Sequence, residues 1–205
     1  MSREIKRMKV VSLFDGISCL RVALGNRDVE YHAYEIDKDA VRISKKNYPD
    51  IVHHGDVREL KEKIEGVDLL CGGSPCQDLS IAKKDRKGLD GERSGLFWEY
   101  VRILKLLEPK YFILENVASM SKEAKQTITN ELGVEPIMID ASLVSAQCRK
   151  RLFWTNIPNI VQPENRNIML KDILEPEAEP DTRMTTKDGK AYCLTASYKG
   201  AAVNN

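Results

Sequence analysis

Short apolar segments alternate with amphipathic ones along most of this 205-residue chain. The apolar runs are typical of buried strands, and the segments between them carry the spacing of helices that have one apolar face. Strands that alternate with helices form βαβ units, whose strands lie side by side in a mostly parallel sheet. The alternation therefore predicts an α/β fold.

The predicted strands are 8–14, 29–35, 67–71, 111–115, 135–140 and 152–155, and the predicted helices are 18–25, 37–47, 94–107 and 121–132. Pro49 and Pro109 each follow a predicted helix, where a proline is expected to end it. After about residue 158 the chain becomes polar and is interrupted by prolines, and its Asp188-Gly189 pair suits a hairpin turn. We therefore expect one domain over residues 1–158, followed by residues 159–205 as a linker or the truncated start of a further region.

The composition, 42% hydrophobic and 31% charged residues, is typical of a soluble globular protein. No apolar run is long enough for a membrane span, and the charged start lacks a secretion signal. Five cysteines without disulfide-like spacing favour the reducing cytoplasm, and no metal site is expected. A net charge of +1 excludes bulk electrostatic binding of DNA, so nucleic-acid contacts would come from the local basic stretches 83–87 and 149–151.

The segment Gly72-Gly73-Ser74-Pro75-Cys76-Gln77 places a cysteine just beyond the predicted strand 67–71. Ligands of open α/β sheets bind in the crevice at such strand ends. Pro75 fixes its own φ angle and restricts Ser74, so the backbone before the thiol is stiff. Such a loop suits a nucleophile that must meet its target at one angle, although an apolar cysteine in an ordinary Gly-Pro turn has the same sequence.

Three further motifs accompany this cysteine in a fixed order. They are Phe14-Asp15-Gly16, Glu115-Asn116-Val117 and the segment Gln147-Cys148-Arg149-Lys150-Arg151. Together the four motifs resemble those of the DNA cytosine-5 methyltransferase family over roughly the first 155 residues. The resemblance implies a Rossmann-like S-adenosylmethionine-dependent methyltransferase fold, S-adenosyl-L-methionine as cofactor, double-stranded DNA as partner, and a bacterial or phage-infected cell as setting.

The resemblance also implies a set of cofactor-binding residues. Glu35, at the end of the second predicted strand, would accept hydrogen bonds from the ribose hydroxyls, as acidic residues of Rossmann sites do. Asp56 would accept from the exocyclic amine of adenine. The alternatives are that the first motif is a plain strand–helix turn and that Glu35 is a surface glutamate. The complete set comprises Phe14, Asp15, Gly16, Ile17, Ser18, Glu35, Ile36, Asp56, Val57, Pro75 and Leu96.

Two positions of the first motif depart from the family pattern. Members of the family commonly have glycine where this chain has Leu20, and a second motif glycine is Ser18 here. Serine is a small replacement. Leucine is bulkier and begins a helix near the methionine end of the cofactor, which predicts weakened cofactor binding.

The catalytic residues implied by the resemblance are Cys76, Glu115, Arg151 and Arg149. The Cys76 thiolate would add to C6 of a cytosine flipped out of the duplex and so activate C5 for methylation. Glu115 would hydrogen-bond N3, Arg151 would contact O2, and Arg149 would pair with Glu115 and orient it. The alternative to these catalytic roles is that Glu115 and the two arginines form only a surface ion pair.

Full-length members of the family continue with a target-recognition region and a final motif that contains an asparagine, neither of which is visible here. Residues 159–205 would then be the truncated start of the target-recognition region, and a second polypeptide or further residues would complete the enzyme. Two alternatives remain: a truncated binding or regulatory module without turnover, and a methyltransferase that acts on cytosine in transfer RNA.

Overall fold

The computed structural model describes residues 7–75, 96–178, 180, 183–194 and 201–202. A seven-stranded sheet forms its centre, and two short strands pair separately. The strands are β1 (Met8–Leu13), β2 (Val29–Tyr34), β3 (Val52–His53), β4 (Leu69–Gly72), β5 (Tyr111–Val117), β6 (Ile137–Asp140), β7 (Lys150–Thr155), β8 (Cys193–Leu194) and β9 (Ala201–Ala202). The α-helices are α1 (Cys19–Ala23), α2 (Lys38–Asn47), α3 (Leu96–Leu107) and α4 (Lys122–Leu132).

The order of strands in the large sheet is β3-β2-β1-β4-β5-β7-β6. Strands β1 to β5 are parallel to one another, whereas β7 runs antiparallel between β5 and β6. The sheet is therefore mostly parallel, and the predicted Rossmann-like α/β fold is confirmed. Its strand order reverses between β1 and β4, which makes the ends of these strands the expected ligand crevice.

The six predicted strands and four predicted helices each correspond to an element of the structure. Three two-residue strands were missed, because they are too short to show a period: Val52–His53, Cys193–Leu194 and Ala201–Ala202. The beginning of the third predicted helix, residues 94–95, lies outside the described residues. Asp188-Gly189 forms the expected turn, in which Thr186 N donates to Lys190 O over 2.7 Å.

Helices cover both faces of the sheet, and the alternation of side chains along β1 shows how. Val11 and Leu13 point into the larger core, where α3 and α4 contribute Phe97 and Ile128. Val10 points the other way, into a smaller core on the side of α1 and α2. Full burial of one such side chain stabilises the fold by about 1.5–3 kcal/mol.

Local hydrogen bonds fix the ends of the helices. The Asp37 carboxylate accepts from Asp39 N and Ala40 N and caps α2, and the Ser121 hydroxyl accepts from Ala124 N and caps α4. Gly133 ends α4 at φ 67°, a left-handed conformation that favours glycine. No helix in the described ranges is both long and apolar enough to cross a membrane.

The polypeptide after residue 158 packs back onto the first 158 residues. Ala191 donates its N–H to Ala146 O and accepts at its carbonyl from Cys148 N. The Lys190 ammonium donates to the carbonyl oxygens of Ser142, Ser145 and Ile168. The segment around Lys190 is thus joined by hydrogen bonds to the loop that precedes β7.

Candidate active site

The loop between β1 and α1 has an unusual backbone. Phe14, Gly16 and Ser18 all have positive φ angles, between 57° and 66°. Only glycine adopts this region at no steric cost, so Phe14 and Ser18 are conformationally strained, and such strain concentrates at functional sites. The loop is held by hydrogen bonds from Asp15 N to Tyr34 O and from Ser18 N to Asp15 O.

The carboxylate of Glu35 joins this loop to the end of β2. One oxygen accepts from Gly16 N over 2.8 Å, and the other accepts from Ile36 N and Asp37 N, also over 2.8 Å each. A carboxylate offers about four acceptor positions, so roughly one remains open. Glu35 is therefore oriented before any ligand binds. If it accepted from two hydroxyl groups of a ligand, one of its hydrogen bonds to a backbone amide would have to break.

A cavity of about 140 Å³ lies beside Glu35. Its walls are Phe14, Tyr34, Glu35, Ile36, Gly55, Asp56, Val57, Arg58, Pro75 and Leu96. The carboxylate of Asp56 is bound by the guanidinium of Arg58, with Nη2 and Oδ2 2.5 Å apart. This ion pair lowers the pKa of Asp56. Arg58 therefore competes with any amine that approaches Asp56.

The cavity brings together most of the predicted cofactor-binding residues. Those that line it are Phe14, Glu35, Ile36, Asp56, Val57, Pro75 and Leu96. Gly16 is next to it through its hydrogen bond to Glu35, and Ile17 lies 48% exposed on the loop. Ser18 has 0% exposure, so it has no free surface for a ligand. The structure gives Ser18 a supporting position under the loop instead of the predicted contact.

Leu20 does not line the cavity. It lies in α1 and packs against the smaller core around Val10 and Tyr31. The left-handed conformation that would favour a glycine occurs at Ser18 instead. Together, the loop Phe14–Ser18, Glu35, Ile36 and the segment Asp56–Arg58 are called the β1–β2 cluster below.

A second group of residues, the β5–β7 cluster, consists of Glu115, Asn116, Arg151 and the segment Gly73–Pro75. Glu115 on β5 pairs with Arg151 on β7, with Nε and Oε1 2.8 Å apart. The side chains are 35% and 11% exposed, respectively. Burial raises the pKa of Glu115, although the charges of Arg151 and Arg149 act in the opposite direction.

The segment Gly73–Pro75 lies directly against this pair. A Cβ on Gly73 would come within 3.0 Å of Glu115 Oε2, so only glycine fits there without displacing the carboxylate. Asn116 donates from Nδ2 to both the carbonyl and the hydroxyl of buried Ser74, over 3.2 Å each. The backbone that leads to residue 76 is thereby fixed beside Glu115, while Cys76 itself lies outside the described residues.

The predicted pairing of Arg149 with Glu115 is wrong, because Arg151 makes that contact. Arg149 instead donates from Nη1 to Cys193 Sγ over 3.2 Å. The strand register gives the reason. Arg151 lies opposite Val117, so it is a diagonal neighbour of Glu115 on the adjacent strand. Arg149 precedes β7 and, along the line of that strand, lies two residues further from Glu115.

Sequence reasoning missed three residues of these clusters. Asn116 and Gly73 were quoted in motifs without a role, and Arg58 was not considered. The spacing Asp-x-Arg at 56–58 and the pair Gly72-Gly73 were the available signals. The basic stretch 83–87 lies outside the described residues. Within the described ranges, no group of three or more His, Cys, Asp or Glu side chains could hold a metal ion.

Comparisons with known proteins identify the family of this chain. The family model "C-5 cytosine-specific DNA methylase" matches residues 8–193. The chain is 40% identical to an orphan methyltransferase of Bacillus phage SPR, over 96% of this chain and 48% of that protein. It is 38% identical to a type II methyltransferase of Lactococcus lactis subsp. cremoris, over 71% of this chain and 39% of that protein.

A solved structure shows the same likeness. The crystal structure of a candidate DNA modification methyltransferase encoded within a prophage of E. coli superposes with a TM-score of 0.56. It is 26% identical, and the match covers 72% of this chain and 46% of that one. This chain thus spans about half the length of the relatives that it matches. Since the family model covers most of its residues, the chain belongs to the C-5 cytosine-specific DNA methylase family.

Proposed function

We propose that this chain is the catalytic portion of an enzyme that transfers a methyl group from S-adenosylmethionine to C5 of cytosine in double-stranded DNA. One observation carries the proposal: the two clusters meet at the segment Gly73–Pro75. Pro75 lines the cavity of the β1–β2 cluster, while Gly73 lies against Glu115 of the β5–β7 cluster. The segment that leads to Cys76 therefore borders both the small cavity beside Glu35 and the carboxyl group of Glu115.

The β1–β2 cluster fits the proposed cofactor. Phe14, Ile36 and Leu96 provide apolar walls for a purine ring, and Glu35 has an acceptor position open for a ribose hydroxyl. Ligand pockets commonly have about 300–1,000 Å³, so the cavity of about 140 Å³ would hold only one end of the cofactor. S-adenosylmethionine, when bound, supplies an electrophilic methyl group on its sulfonium sulfur.

The proposed reaction begins when the Cys76 thiolate forms a bond to C6 of an extruded cytosine. The electron pair of the C5–C6 double bond moves into the ring, and N3 and O2 gain negative charge. Atom C5 then takes the methyl group, and the electrons of the broken sulfur–carbon bond stay on the sulfur. Loss of the C5 proton to a base, followed by departure of the thiolate from C6, restores the aromatic ring.

Glu115 and Arg151 are proposed to stabilise the charge on this ring. The raised pKa of Glu115 favours a protonated carboxyl, which can donate a hydrogen bond to N3. Arg151, already 2.8 Å from Glu115, would turn a second guanidinium N–H towards O2. Arg149 lies further from Glu115 and would act on the ring only through its charge.

We further propose that turnover needs residues beyond this chain, since the relatives are about twice as long. A continuation of the chain or a second polypeptide would supply them and would read the target sequence. The cytoplasm of a bacterial or phage-infected cell is the proposed setting.

Covalent trapping tests the proposal. The chain, alone and together with the polypeptide encoded downstream, is incubated with S-adenosylmethionine and duplex DNA whose cytosines are all replaced by 5-fluorocytosine. The fluorine blocks loss of the C5 substituent, so a denaturation-resistant adduct should form. Cys76→Ala should abolish the adduct and leave the affinity for S-adenosylhomocysteine unchanged. Cys148→Ala is the matched control, because burial raises the pKa of this thiol and disfavours its thiolate.

Each other outcome has a distinct meaning. An adduct that survives Cys76→Ala would refute the nucleophile. An adduct with fluorinated transfer RNA but not with DNA would change the substrate class. Cofactor binding without an adduct in either preparation would favour the binding or regulatory module.

A further inference from the structure

A row of buried polar side chains supports the loop between β1 and α1. The Tyr31 hydroxyl donates to Asp15 Oδ1 over 2.6 Å, and the Ser18 hydroxyl donates to Asp15 Oδ2. Ser18 Oγ lies 2.6 Å from Ser44 Oγ, and Ser44 Oγ lies 3.2 Å from His53 Nε2. Tyr31, Ser18 and Ser44 are essentially fully buried. The row thus joins β2, α2 and β3 to one carboxylate.

The direction of the hydrogen bonds in this row follows from the carboxylate. A carboxylate only accepts, so the single Ser18 hydrogen points to Asp15. Ser18 Oγ must then accept from Ser44, and Ser44 Oγ must accept from His53 Nε2–H. His53 Nδ1 is buried without a hydrogen-bond partner. Burial and the charge of Lys45 lower the pKa of His53, which agrees with a neutral ring that carries its hydrogen on Nε2.

The carboxylate at the end of this row lacks a counter-charge. Both donors to Asp15 are neutral hydroxyls, and among the described residues Asp15 forms no ion pair. Its charge adds to burial in raising the pKa of the Cys71 thiol to about 12, and it also raises the pKa of Tyr31. A partly buried carboxylate in this state attracts a cation, and roughly two of its acceptor positions remain open.

The position of Asp15 indicates which cation this is. The cavity beside Glu35 is too small for the whole of S-adenosylmethionine and does not include Asp15. If the adenosine end occupies that cavity, the amino-acid end extends over the loop. That end carries an α-ammonium and an α-carboxylate, and its ammonium is the cationic group that a carboxylate such as Asp15 can bind.

We propose that Ser44 and Tyr31 are positioning residues that hold the Asp15 carboxylate towards the ammonium group at the amino-acid end of the cofactor. The inference rests on the proposed function, because it requires S-adenosylmethionine as ligand. Ser44 acts from α2 through Ser18, and Tyr31 acts directly from β2. Neither touches the ligand.

Two ligands distinguish a positioning role of Ser44 and Tyr31 from a general loss of structure in the variants. S-adenosylhomocysteine contains the amino-acid end, whereas 5′-methylthioadenosine lacks it. Calorimetric titration of the wild-type chain with both ligands tests the cofactor assignment itself. Ser44→Ala should then lower the affinity for S-adenosylhomocysteine about three- to tenfold, as expected for one hydrogen bond. It should change the affinity for methylthioadenosine less than about twofold.

Ser121→Ala is the matched control, because it removes a comparable serine hydrogen bond at the cap of α4. It should change neither affinity. Tyr31→Phe gives an independent second variant that keeps the ring and removes only the hydroxyl. In an Asp15→Asn background, Ser44→Ala should lose its effect, because the two residues act as one unit.

The outcomes are distinguishable. If Ser44→Ala and Tyr31→Phe lower the affinities for both ligands equally, the row of polar side chains has only a structural role and the inference is overturned. Unchanged affinities in both variants would overturn it as well. A wild-type chain that binds neither ligand would instead remove the proposed cofactor, and the inference with it.

Discussion

The two clusters of the site each contain a glutamate, and the two glutamates are held in different ways. Glu35 accepts three backbone N–H groups, two of them from the next two residues. Glu115 pairs with one guanidinium that comes from the antiparallel strand β7. The first arrangement is built by a local turn, and the second requires the sheet to be complete.

This difference suits the two carboxylates for different tasks. The Glu35 carboxylate is held as a hydrogen-bond acceptor by three backbone N–H groups, which fix the orientation of its side chain. Partial burial raises the pKa of Glu115 and so favours a form that can donate. Arg151 opposes this effect and prevents the site from holding an unpaired buried charge. The fold thus places two differently held carboxyl groups at the same edge of the sheet, one bound by backbone amides and one paired with an arginine.

Replacing the acid should give the largest effect. Glu115→Gln keeps the shape but cannot supply a proton, so methyl transfer should fall about 10²–10⁴-fold. The affinity for S-adenosylhomocysteine should stay the same, because the β1–β2 cluster is untouched. Incorporation of labelled methyl groups and calorimetry measure the two quantities, with Glu135→Gln as the exposed control.

The pH dependence provides a further test of the same substitution. Since the pKa of Glu115 is raised, its protonated fraction persists above the ordinary glutamate range and falls as pH rises through the raised value. The wild-type rate should therefore have an alkaline limb from Glu115, which Glu115→Gln should lack. A limb that persists in the variant would assign the proton to another group.

The next effect is on stability, and it concerns Leu20. Because Leu20 packs into the smaller core, Leu20→Gly should lower the free energy of unfolding by about 2–3 kcal/mol. The affinity for S-adenosylhomocysteine should not improve, since Leu20 does not line the cavity. Val22→Gly, at a 60% exposed position of the same helix, should cost only about 1 kcal/mol. Tighter cofactor binding by Leu20→Gly would restore the view that this leucine obstructs the site.

The β1–β2 cluster was more accessible to sequence reasoning than the β5–β7 cluster. Glu35 follows the second strand at a spacing that a βαβ unit dictates, so its place at the cavity could be inferred from order, whereas the place of Asp56 followed only from the family resemblance. The support of Asp15 by Ser44 was not accessible. It depends on the contact between α2 and the first loop, which no short-range pattern encodes.

The partner of Glu115 was missed for a related reason. Arg149 and Arg151 lie on the same face by the two-residue period of strands, so the sequence offers both as candidates. Only the register of β7 against β5 selects Arg151. Register depends on the turn and packing of a strand that enters the sheet antiparallel, and neither is visible in the motif itself.

The smallest expected effect compares these two arginines. Both lower the pKa of Glu115, and Arg151 has the larger influence because it also makes the hydrogen-bonded pair. Arg151→Met should therefore raise the pKa of Glu115 further, and Arg149→Met should raise it less. A carboxyl whose pKa is higher in the folded than in the unfolded state binds more protons when folded, so the free energy of unfolding falls as pH rises through that interval.

Urea unfolding at several pH values above 4.5 measures this loss directly. Arg151→Met should show a steeper decline than the wild type, with Arg149→Met between them. Equal declines for the two variants would mean that Glu115 senses only the summed positive charge of this edge. The hydrogen-bonded pair of Glu115 with Arg151 would then add nothing to the pH dependence of the free energy of unfolding beyond the charge of the arginine.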